Sequence, residues 1–209
     1  MKQRLFITLG MASLAMATFG VKKPKAAIKP LNAATVQQPS YTEWHDLQVN
    51  AINRFPLHTN FFTYSPEDMV YEEGGKLVSR DLAQVNKTMS KNYLSLEGTW
   101  KFNWVENADQ RPTDFYKVDL DDSNWKTMNL PGIWEMNGYG VPEYVNVGFG
   151  WRGHFDEQPP AVPTKDNHVG SYRRIINIPE NWDGKQVVAH FGSVTSNIYL
   201  YVNGKFAGY

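Results

Sequence analysis

Near the end of the chain Ile198, Leu200 and Val202 alternate with Tyr199 and Tyr201, and Asn203-Gly204 then breaks the run before Lys205-Phe206-Ala207-Gly208-Tyr209. A strand sends successive side chains to opposite faces, so this period of two predicts a strand. Asn-Gly predicts a type I′ turn, in which both central residues take positive φ, followed by a return strand. That return strand runs to the last residue, so the pattern reads as a sheet cut short, with a row of backbone groups left to pair. Similar short runs predict strands at residues 93–96, 100–105, 126–130, 171–178, 186–191 and 197–202. In the fifth of these, Val187, Ala189 and Phe191 share one face and Val188 and His190 the other. Gly, Pro and Asn punctuate the runs, and strand after strand of this kind predicts an all-β antiparallel sandwich.

The segments between are as informative as the strands. Residues 21–40 are rich in Lys, Ala, Pro and Gln with no apolar period, which predicts a disordered leader. Residues 41–90 read as an extended arm, because Pro56 and scattered aromatics fit neither helix nor clean strand. Within that arm a short helix is expected at 65–71, where Ser65 can cap, Pro66 suits the first turn, and Glu67 and Asp68 favour a helix N-terminus. The stretch 134–167, WEMNGYGVPEYVNVGFGWRGHFDEQPPAVPTKDN, is a long aromatic loop. Loops longer than about 15 residues inside a compact domain are functional or disordered, and the aromatic content favours function.

Composition narrows the classes. The chain is 42% hydrophobic and 14% aromatic, ample for a packed core, and 21 basic residues balance 21 acidic ones, so no overall field selects nucleic acid or an anionic membrane. There is no cysteine, which removes disulfides, thiolate metal sites and a cysteine nucleophile. At the N-terminus Lys2 and Arg4 precede an apolar run from Leu5, and Ala15-Met16-Ala17 offers a small-x-small cleavage site. This predicts a secretory signal within residues 1–20, cleaved near Ala17, and a secreted or periplasmic protein; the run is short of the roughly 20 residues of a spanning helix.

The motifs that could carry chemistry are weak. Gly148-Phe-Gly150-Trp-Arg-Gly153 spells G-x-G-x-x-G, but Pro159, Pro160 and Pro163 forbid the helix a dinucleotide site needs next. Asp119 to Asn124 hints at a calcium loop, yet positions six and twelve hold Asn124 and Leu130 where Gly and Glu are required, so a solvated turn is expected. His45, His58, His154, His168 and His190 lack metal-ligand spacing. Asn86-Lys-Thr88 is a glycosylation sequon that matters only in a glycosylating host. Glu72-Glu73 and Asp121-Asp122 are adjacent pairs whose side chains point apart in extended backbone, whereas glycoside chemistry needs carboxyls facing across a bond. The residues therefore show no catalytic group. Aromatic rings can stack on sugars, although most in a sandwich form its core.

Longer words resemble a known family. YLSLEGTWKFNW, ADQRPTDFY, DDSNWKTMNLPGIWEMNGYGVPEYVNVGF, PPAVP, NHVGSYRR and HFGSVTSNIYLYVNGKFAGY are similar to the N-terminal portion of glycoside hydrolase family 2 β-galactosidases, from about Asn53 to Tyr209. The resemblance implies that residues 91–209 are a jelly-roll, galactose-binding-like sugar-binding domain, truncated before its closing strands. It also implies that immunoglobulin-like and TIM-barrel domains, with the two catalytic Glu residues, belong to a longer protein. Tyr144-Val-Asn146-Val is similar to the segment whose Asn reaches the galactose, so Asn146 is the implied substrate contact. A loop Asn that bonds its own backbone is the plainer reading of that residue. By the same resemblance the longer protein would bind sodium and magnesium and could be a homo-oligomer, whereas this chain would hold no cofactor and no catalytic residue. Two functions follow: part of a secreted, retaining β-galactosidase acting on a β-galactoside, or a non-catalytic carbohydrate-binding or adhesion module.

Overall fold

The computed structural model of the chain describes residues 2–10, 38–56, 63, 88, 90–142 and 161–209. Its strands are β1 (Lys2–Gly10), β2 (Gly98–Val105), β3 (Lys126–Leu130), β4 (Val169–Asn177), β5 (Asn197–Val202) and β6 (Lys205–Gly208). They form one antiparallel sheet in the order β3-β2-β4-β1-β5-β6. The helical pieces described within it are 3-10 turns of three residues, such as Glu43–His45 and Glu135–Asn137. The architecture is all-β and consistent with the expected sandwich.

Alternation decides what each face buries. Trp100 and Phe102 of β2 point to one face, opposite Met128 of β3 and Tyr172 of β4, and with Ile176 they form the first core. Leu200 and Val202 of β5 pack against this core. Their neighbours Tyr199 and Tyr201 go to the other face and join Ile52, Phe115 and Phe206 in a second core. Both faces of the sheet are thus covered, which is how an antiparallel sheet becomes the interior of a layered domain.

The expected strands at 126–130 and 197–202 form as read, and those at 100–105 and 171–178 differ by two residues at most. Asn203 and Gly204 take φ of 51° and 78°, so the turn before β6 has the two positive values its sequence predicts. Residues 93–96 are not a strand. The Leu96 carbonyl is taken by the Trp100 indole at 2.9 Å and the Arg174 guanidinium at 2.8 Å, leaving it no ladder partner. Residues 186–191 are not a strand either: Val187, Val188 and His190 are exposed, and alternation without a neighbouring strand does not make one. The expected helix at 65–71, Glu72-Glu73 and the Asn86 sequon lie outside the described residues.

Lys2–Gly10, the stretch with a signal-like pattern, pairs as β1 with β4 on one side and β5 on the other. A short apolar run suits a strand paired along both edges as well as an export signal, so periodicity does not separate the two. Residues 38–56 pack on the second core through Tyr41, Trp44, Val49 and Ile52. The Ile52 and Tyr209 backbones exchange hydrogen bonds of 3.0 and 2.9 Å, which closes part of the β6 edge. Ahead of this, buried Glu43 accepts from the Ser40 amide (2.6 Å), the Ser40 hydroxyl (2.8 Å) and the Tyr199 phenol (2.8 Å). Burial alone would raise the Glu43 carboxyl, but these donors outweigh it and hold it below the ordinary value.

A carboxylate held down in the folded state contributes stability that is present above its unfolded value, 4.5, and is lost as pH falls through the lower folded one. Acid should therefore loosen the arm first. Glu43→Gln should lower the melting temperature at neutral pH, through a loss of about 1–3 kcal/mol, and should flatten the acid limb of stability against pH. Parallel acid limbs in parent and variant would show that Glu43 does not set the dependence.

Candidate functional site

The long loop of residues 134–167 is described at both roots, and each root is tied to the sheet. After β3, Pro131 to Trp134 lead into the 3-10 turn Glu135–Asn137, which Gly138 ends in a left-handed conformation at φ 83°. The Trp134 indole donates to the Tyr172 hydroxyl at 2.5 Å, and that hydroxyl in turn donates to the Met128 sulfur at 3.5 Å. Burial pushes the Tyr172 phenol up to about 12, despite the opposing indole bond, so it remains a neutral hinge for the loop.

Aromatic packing continues outward from this bond. Tyr139 meets Phe102 edge-on with centroids 4.9 Å apart, and Trp104 lies 5.9 Å from Tyr139 and 4.9 Å from His168. His168 contacts Asp166 at 3.2 Å, placing it at the second root. There the Asp166 amide donates to the Asn107 side-chain oxygen at 2.9 Å, and the Ala108 amide donates to the Thr164 carbonyl at 3.0 Å. The Trp104 indole nitrogen and the Ser171 hydroxyl are buried without a hydrogen-bond partner among the described residues. Just after the first root, Met136 is 81% and Val141 75% exposed.

Gly170 permits the first root. A β-carbon there would stand 2.6 Å from Trp134, 2.9 Å from Phe102 and 3.1 Å from Tyr172. The indole lies where a side chain would otherwise be. Strand patterning did not single out this glycine, and the signal for Trp134 was the aromatic density of residues 134–167.

Asn146 and the G-x-G-x-x-G stretch at 148–153 lie outside the described residues. The Asp119 to Asn124 turn is structural: Asp121 accepts from the Ser123 amide at 2.9 Å, while Asp122 binds the buried Arg173 guanidinium at 2.7 Å. The two neighbouring carboxyls thus face different partners. Among the described residues no three His, Asp or Glu side chains gather as a metal site. What the arrangement does is tie residues 134–139 and 164–168 to the sheet.

Residues 93–209 match the family described as glycosyl hydrolases family 2, sugar binding domain. The chain belongs to this family. Its match begins just before β2 and includes both loop roots, so the anchored loop is part of the family 2 domain. Among its relatives, a protein named beta-galactosidase from Halalkalibacterium halodurans is 36% identical over 171 residues, 81% of this chain and 16% of the relative. Another from Lactobacillus delbrueckii subsp. bulgaricus is 34% identical over 78% of this chain and 15% of its own length. A beta-galactosidase large subunit from Leuconostoc lactis is 30% identical over 78% of the chain and 26% of its own length. The family 2 chain therefore spans about one sixth of the length of the first relatives it matches.

Gly170→Ala should cost about 1–3 kcal/mol and displace Trp134, because overpacking at a filled site forces side chains and backbone apart. Red-shifted or quenched indole fluorescence should accompany the lower melting temperature. A stable variant with unchanged fluorescence would show that the loop root does not depend on this contact.

Proposed function

We propose that the chain is the N-terminal sugar-binding portion of a secreted β-galactosidase that hydrolyses terminal non-reducing β-D-galactose residues in β-galactosides. One observation carries this reading. The family match over residues 93–209 coincides with relatives named beta-galactosidase that align across 81% of the chain. Because the chain is a small share of those relatives, the activity belongs to a longer protein. Its retaining chemistry would use two carboxyls about 5 Å apart, one as acid and base and one as nucleophile, carried by domains other than this one.

This chain's own part is positional. Asn146, in the loop clamped at one root by Trp134 and Tyr172 and at the other by Asn107 and Asp166, would hydrogen-bond a galactose hydroxyl. Sodium and magnesium belong in this reading to the longer protein, where they would supply positive charge beside sugar hydroxyls. No step in this chain runs through them.

In the longer enzyme Asn146→Ala should lower kcat/KM on a chromogenic galactoside about three- to tenfold, the loss of one neutral hydrogen bond, with little change in melting temperature. Equal kinetics would leave Asn146 a loop residue only. The 209-residue chain alone should show no turnover; activity lost on mutating a local Asp or Glu would overturn the assignment. Export adds a further test, since cleavage near Ala17 removes the residues of β1. N-terminal sequencing of protein from its natural host should find a start after Ala17, and a retained Met1 would sink the secreted form.

A further inference from the structure

A second surface, apart from the anchored loop, has the chemistry of a sugar site. Where the arm crosses the β5–β6 hairpin, Gln38, Pro39, Tyr41, Tyr116, Tyr201, Gly204, Lys205 and Phe206 line a cleft of about 530 Å³. None of them comes from residues 134–167. The volume falls within the roughly 300–1,000 Å³ of small-molecule sites.

Three independent segments build the cleft. The arm supplies Tyr41, the loop after β2 supplies Tyr116, and the hairpin supplies Tyr201 and Lys205. Tyr201 stacks on Tyr116 with centroids 4.8 Å apart at 15°, and Phe115 meets Tyr201 edge-on at 5.3 Å, so the floor is fixed by packing. The Tyr41 and Tyr201 hydroxyls hydrogen-bond each other. Burial raises both phenols, and they stay protonated across the working pH range. A joined pair of phenols uses one of its two protons internally, and the other remains a donor while the oxygens still accept.

Lys205 stands exposed at its rim, the Arg111 guanidinium sits 5.5 Å from the Tyr41 ring centroid, and the nearby Glu43 is already bonded by Ser40 and Tyr199. Gly204 keeps the rim low: its φ of 78° restricts other residues, and a β-carbon there would press on Val118 at 3.3 Å. Aromatic walls suit the C–H surface of a pyranose, and phenol and ammonium groups suit its hydroxyls. A lipid or aliphatic ligand would bury the ammonium and phenols without partners, which is costly.

We infer that the cleft between Tyr41, Tyr116 and Lys205 is a second, non-catalytic saccharide site for a neutral hexose. It would hold part of a glycan away from the loop that carries Asn146.

The test uses the isotope-labelled 209-residue chain, titrated with galactose and with lactose and followed by amide chemical shifts. Saturable shifts should centre on Gly204, Lys205 and Phe206, with dissociation constants of roughly millimolar. Lys205→Met, an exposed rim substitution, should weaken binding about three- to tenfold, and Tyr116→Ala should weaken it more. If Tyr116→Ala fails to fold, Lys205→Met alone decides. Asn146→Ala should leave these shifts in place, so failure of the cleft and failure of the proposed galactose contact are told apart. Shifts that never saturate, that centre elsewhere, that vanish with Asn146→Ala or that ignore Lys205→Met would each overturn the site.

Discussion

Two adjacent residues of β4, Tyr172 and Arg173, point to opposite faces of the sheet, and each fixes the layer above it. Tyr172 receives the Trp134 indole on one face. On the other, the Arg173 guanidinium is 4% exposed and donates to Asp122 at 2.7 Å, the Phe115 carbonyl at 2.6 Å and the Lys117 carbonyl at 2.9 Å. Its plane also stands 5.8 Å from the Trp125 ring centroid. A charge buried this deeply is tolerable because a carboxylate and two carbonyls meet it, and removing one partner of such a pair costs about 3–5 kcal/mol. The loop of residues 111–125 is thereby folded down over the second core, carrying Phe115 and Tyr116 with it. Strand alternation, the simplest rule of the sheet, distributes the two surface layers between its faces.

That rule also explains what could be read in advance. Where Ile198, Leu200 and Val202 alternate with Tyr199 and Tyr201, each set has a core to enter, and the strand forms as its pattern says. Residues 186–191 carry an equally clear pattern and form no strand, because a period of two states a preference and a neighbouring backbone must satisfy it. Residues 93–96 fail for a different reason. Side chains from Trp100 and Arg174 capture the carbonyls of Leu96 and Glu97, a tertiary event invisible to local sequence. At the N-terminus one apolar run satisfies two templates, a strand paired with β4 and β5 and an export signal, and local sequence does not choose between them. For the candidate site, aromatic density drew attention to residues 134–167, while their anchors depend on contacts such as Gly170 against Trp134 that link distant positions.

Aromatic residues raise the sharpest choice between packing and binding. Trp100, Phe102, Phe115 and Tyr172 are almost wholly buried, and their worth is apolar area removed from water together with edge-on contacts to neighbouring rings. Tyr201 is buried as well, but it spans both roles: its ring belongs to the second core and its hydroxyl reaches Tyr41 on the arm. Tyr41 and Tyr116, only partly covered, extend that core outward until it meets water. A ring layer that ends in this way exposes a flat apolar edge bordered by phenols and a lysine, and such a boundary suits a ligand that is itself apolar on its faces and hydroxylated at its rim. The chemistry of that edge follows from where the core stops, so the same arm that Glu43 holds against the sheet also determines whether the edge has a second wall.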